Sequence, residues 1–146
     1  MTENRTLSLR AARWTVIAVY FAGLVVYPIV GFTVKLPHSV SGSLPAAVGP
    51  ILLAMGIMDY FISLIVERAM LAQVRANPSR PAAVTTAAIT VAALGESLAL
   101  FGLFLSLLDM RQWGLALYAL CLVHGVHLAI RWPGYEQAAE LGYPNH

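Results

Sequence analysis

In the run AALGESLALFGL (Ala92–Leu103) one ionisable residue, Glu96, interrupts an otherwise apolar sequence. A second acid, Asp59, lies in GIMDYFISLI, and two histidines, His124 and His127, lie in CLVHGVHLAI. A carboxyl in such surroundings has a restricted chemistry. A charge at the centre of a bilayer costs about 2.5–3.5 kcal/mol on insertion scales. Desolvation therefore favours the neutral acid, and a second acid nearby favours it further. A carboxyl that is neutral in lipid and ionises beside a polar partner is a reversible proton carrier. The histidines are three residues apart and share a helix face. They suit polar contacts between helices, a proton relay beside Glu96, or a metal site shared with Glu96 or Asp59.

The surroundings decide between water and lipid. Of the 146 residues 59% are hydrophobic and 11% charged, where a soluble domain carries about 25% charged. Four apolar runs, about 14–34, 46–71, 82–108 and 113–130, are each near the ~20 residues that a helix needs to cross the hydrocarbon. Backbone groups in lipid must be satisfied internally, so each run is expected to be a helix. The expected fold is all-α, one integral membrane domain of four transmembrane helices over residues 1–146. The first run follows Arg5, Arg10 and Arg13 but is long for a signal segment, and reads as a retained helix bent at Pro28.

The connectors set the arrangement. KLPHSVSGSLP (Lys35–Pro45) is a Pro/Gly/Ser loop, RANPSRP (Arg75–Pro81) a polar turn, and DMRQ (Asp109–Gln112) barely separates the last two spans. The last two spans must then be antiparallel neighbours. Trp132 and Tyr135, in the polar tail after Arg131, suit the membrane interface. Glu67 and Arg68, near the end of the second run, are expected to snorkel or pair locally.

Arg5, Arg10, Arg13, Arg68, Arg75, Arg80 and Arg131 lie on the termini and around the middle connector. The other two connectors hold only Lys35 and Arg111. This asymmetry places both termini and RANPSRP on the cytoplasmic side of the membrane, in a bacterium the cytoplasmic membrane. Asp59 lies 19 residues before Pro78 and Glu96 lies 18 after it. Antiparallel helices joined at that turn bring both acids to similar depth.

Some chemistries are excluded by pattern. The formal charge of +2 and the scattered arginines do not describe a nucleic-acid partner. There is no Walker loop, GxSxG or dinucleotide glycine motif, hence no enzymatic motif or expected cofactor. A Glu-x-x-His pair of the di-iron bundle type is missing. Bis-histidine haem ligation is disfavoured because the remaining histidines, His38 and His146, lie in polar segments. Cys121 is the only cysteine and reads as a packing residue.

The run Glu96-Ser97-Leu98-Ala99-Leu100-Phe101-Gly102-Leu103, continued by FLSLL, resembles the second helix of subunit c of rotary ATP synthases. RANP resembles that family's polar loop, and the interval from Pro78 to Glu96 matches. The resemblance covers Arg75–Leu108, and the first and fourth spans are additional to it. It implies a subunit-c-like central hairpin, with Glu96 binding the transported ion; Asp59, at similar depth, is expected to assist or to tune its pKa. It also implies a multimer of this chain in the lipid bilayer, with stator and head subunits as partners. Sodium-binding members show a hydroxyl residue after the acid, where Ser97 stands. They also use a Gln on the first helix, where this chain has Ser63. Losing that amide ligand favours protons over sodium. Gly95 and Gly102 flank Glu96 with small surfaces for close approach between copies. The expected function is thus proton translocation through Glu96. The alternatives are a membrane accessory protein without transport, whose acids and histidines fix packing, and a metal-binding membrane protein.

Overall fold

The computed structural model describes residues 3–34, 47–76 and 82–140. The connectors between the first and second spans and between the second and third therefore lie largely outside the described residues. Apart from short turns, the described residues are helical, and there is no strand among them. The first span comprises α1 (Glu3–Phe21), a π-helical turn (Ala22–Val26) and α2 (Tyr27–Thr33). It is followed by α3 (Val48–Ala76), α4 (Ala82–Leu107) and α5 (Arg111–Glu140). Among the described residues, four helices are long and apolar enough to cross a membrane.

α4 is the central element. It packs against α3, α5 and both halves of the first span. Of its apolar window 44% is buried inside the bundle, against 17% for α3. Its sequence explains this position. Ala87, Ala88, Ala92, Gly95, Ala99 and Gly102 are all buried and let neighbouring backbones come close.

Where the sequence predicts a bend at Pro28, the helix carries a π turn. Pro28 has no N–H, and its ring would clash with the carbonyl four residues back. The chain widens just before it, with the Tyr27 N–H bonded to the Ala22 carbonyl five residues away. The extra residue also sets register. A Cβ on Gly23 would lie 2.9 Å from Ala99 Cβ, and one on Gly31 would lie 2.7 Å from Ser106 Cβ. Eight residues on the first span thus match seven on α4, and the π turn absorbs the difference. The first span and α4 run parallel along this seam.

The α4–α5 connection is as tight as DMRQ suggested. Asp109 has φ 61°, in the left-handed region that ends helices. The Met110 N–H bonds the Leu105 carbonyl at 2.9 Å, and the Asp109 N–H bonds Ser106 O at 3.1 Å. Arg111 Nε donates to Asp109 Oδ1 at 3.1 Å, and its guanidinium lies over the Phe32 ring.

The last span differs from the expected 113–130. α5 continues through Pro133 to Glu140, and Trp132 and Tyr135 are buried within the bundle, 7% and 0% exposed. The two rings stack at 5.8 Å. The physical reason is a helical stripe beneath the polar residues. Leu128, Trp132, Tyr135 and Ala138 repeat at three- and four-residue steps and join the buried cluster with Leu71, Val74 and Val84.

Candidate polar ladder within the bundle

Three side chains on α3 recur at four-residue steps: Asp59, Ser63 and Glu67. They occupy one face over about 12 Å of helix rise. Each meets a polar partner on another helix.

Asp59, half-buried, accepts a hydrogen bond from Ser97 Oγ on α4 at 3.0 Å. Ser97 also bonds the Leu94 carbonyl at 2.7 Å, so its hydroxyl is anchored to its own helix. Glu96 takes a different partner. Tyr27, immediately after the π turn, donates to Glu96 Oε1 at 2.9 Å. The two acids are therefore at neighbouring positions, and each is held separately, one from α3 and one from the first span.

Ser63 is 1% exposed and His124 fully buried. Ser63 Oγ lies 2.7 Å from His124 Nε2 and also bonds the Tyr60 carbonyl at 2.7 Å. The other ring nitrogen, His124 Nδ1, is hydrogen-bonded to the Tyr20 hydroxyl. The Tyr60 ring meets the imidazole edge-on, with centroids 5.7 Å apart. With both nitrogens engaged by hydroxyls, His124 can accept a proton on one side while releasing one on the other. Glycine makes room for this assembly. A Cβ on Gly95 would sit 2.5 Å from His124 Nδ1, and one on Gly125 would sit 3.0 Å from the Tyr20 ring.

Glu67 is the residue that sequence reasoning placed wrongly. It does not snorkel. It is 1% exposed, with His127 Nε2 at 3.1 Å from Oε2 and Arg131 Nε at 3.5 Å from Oε1. Tyr135 sits beside it, with its hydroxyl buried next to the Glu67 carboxyl. The signal was present in the sequence: His124, His127, Arg131 and Tyr135 follow helical spacing on α5, as Ser63 and Glu67 do on α3. Tyr20 and Tyr27 carried no such signal, because only tertiary packing points them at His124 and Glu96.

The expected residues are thus divided. Glu96, Asp59 and Ser97 gather at one level, and Ser63 joins His124 one turn away. His127 pairs with Glu67 a further turn on. No group of three or more His, Cys, Asp or Glu that could hold a metal is found among the described residues. The small surfaces expected to serve contacts between copies are filled within the chain. Gly95 faces Tyr20 and His124, and Gly102 faces Tyr118 and the Gly114 carbonyl. Gly49 receives Trp113, and Gly56 receives Leu117. No family model, curated protein sequence or solved structure matches this chain.

Proposed function

We propose that the protein moves protons across a membrane through the titratable groups between its helices, with Glu96 as the carrier. The observation that carries this reading is the ladder itself: Glu67 with His127, His124 between two hydroxyls, then Asp59–Ser97 and Tyr27–Glu96, at successive helical turns. Polar and ionisable side chains inside transmembrane bundles are costly, and proton relays are one of their uses. A relay needs groups that both give and take protons at short intervals, and carboxyl, imidazole and hydroxyl all do so. Two further buried hydroxyls extend the polar groups in both directions. Tyr135 lies beyond Glu67, and Tyr118 lies near Ser106 toward the α4–α5 turn. Asp59 tunes the carrier through Ser97, and His124 and His127 relay.

The rotary form of this reading, with further copies of the chain and stator and head subunits, rests on the resemblance over Arg75–Leu108. The filled glycine surfaces favour transfer inside one four-helix unit. A second reading has its own observation. The acids, histidines and serines of the ladder are already paired, and a satisfied network also fixes helix packing without transport.

Reconstituted vesicles enclosing a pH-sensitive dye separate the two. Under an imposed membrane potential the protein acidifies the lumen, Glu96→Gln abolishes the flux, and Asp59→Asn slows it. The Gln variant keeps the fold, because a neutral amide has similar shape and no charge to desolvate. Flux that is unchanged in Glu96→Gln would remove the carrier assignment and leave the packing role.

A further inference from the structure

Between the first span and α5 the surface opens into a cleft of about 350 Å³. Its lining is almost wholly apolar, including Val16, Leu24, Leu122 and Leu128, with Tyr20 and the bare backbone of Gly125 among its walls. One charged residue, Arg13, stands at the end of the cleft shared with Trp132.

Two features identify what fits there. The first is length. Arg13 to Leu24 on one wall spans about 16 Å of helix rise, and Trp132 to Leu122 on the other spans about 15 Å. That is half of the ~30 Å hydrocarbon core, the depth of one leaflet. The second is charge. The apolar length ends at a guanidinium, with Arg10 three residues before it on the same side of α1. Arg13 is 60% exposed, and its contact with Glu136 is at 4.0 Å. Glu136 meanwhile accepts a hydrogen bond from Trp132 Nε1 at 3.0 Å. With five donors, Arg13 keeps N–H groups for a phosphate beyond that contact.

We infer that this cleft holds one anionic glycerophospholipid, with an acyl chain lying between the first span and α5 and its phosphate on Arg13. The lipid occupies the leaflet on the side of the chain termini. It fills the space over Tyr20 and so seals the His124 level of the bundle from other molecules in the bilayer. The assignment does not depend on proton movement.

Native mass spectrometry of delipidated protein tests it, with equimolar phosphatidylglycerol and phosphatidylcholine of identical acyl chains. One phosphatidylglycerol is retained, in about fivefold preference, the effect of one cation at an anionic lipid surface. Arg13→Gln lowers retention to that of phosphatidylcholine. Val126→Trp, which fills the cleft from an exposed position, lowers retention of both lipids, whereas Leu115→Trp, exposed elsewhere on α5, leaves both unchanged. Equal retention of the two lipids by the unmodified protein, or unchanged preference in Arg13→Gln, would overturn the inference. A change of oligomeric state in Val126→Trp without loss of lipid would also overturn it and give the cleft to a second copy.

Discussion

Replacing Gly95 by Ala tests whether the first span closes over the acid-bearing helix within one chain. The new methyl carbon would fall 2.5 Å from His124 Nδ1 and against the Tyr20 hydroxyl. Both are closer than carbon tolerates, so the Tyr20–His124 pair must open or the helices must part. Overpacking of a filled core costs about 1–3 kcal/mol. A hydrogen bond lost between membrane helices adds about 0.6 kcal/mol, and up to about 1.7 kcal/mol. The expected loss is therefore about 2–5 kcal/mol. Tyr20→Phe removes the bond in advance and takes away the nearest of the three obstructing atoms. In that background Gly95→Ala should cost about 1 kcal/mol less, because only the imidazole still has to move. The assay is reversible denaturation in mixed micelles, applied to the four proteins of the cycle. Additivity within about 0.5 kcal/mol, the scatter of independent sites, would refute the reasoning. So would a neutral Gly95→Ala. Either result would mean that Tyr20 does not occupy this surface, which would then be open to another copy of the chain.

Glu67→Leu should destabilise the fold by about 1–3 kcal/mol, measured in the same micelles, because it strips the charged hydrogen-bond partner from His127 and Arg131. The cost stays below that of a fully buried pair because Arg131 is about half exposed and can turn to water. An apolar carbodiimide should modify the half-buried Glu96 and spare Glu67, which Arg131 and His127 enclose; peptide mapping reads the site, and a Glu67 adduct would contradict the geometry. In a Cys121-free background, a cysteine introduced at Ser79 should resist impermeant thiol reagents outside intact cells, as the basic asymmetry requires. Rapid labelling there would invert the topology.

Much of the architecture was legible along the chain. The four runs, Pro28 and the DMRQ turn are local features, and their consequences are local too. A run of apolar residues must satisfy its own backbone in lipid, and a proline disturbs the turn that precedes it. The polar residues on α3 and α5 carried part of the candidate site in their spacing, and Glu67 belonged to that series. What the sequence could not supply was facing. In water the polar side of a helix marks its outer surface, but in lipid both sides of a transmembrane helix are apolar. α4 is apolar nearly all round, so nothing along its length says that the first span, rather than lipid or another copy, covers Glu96. The same holds for the polar end of α5, where nothing along the sequence says that Trp132 and Tyr135 pack beside Leu71 and Val74. The sequence by itself determined the four helical runs, the tight DMRQ turn and the disturbed turn before Pro28. Only the tertiary structure decided which groups meet, because close approach between helices depends on the glycines and alanines of both partners at once. The eight-to-seven match between the first span and α4 exists only once the two helices are together.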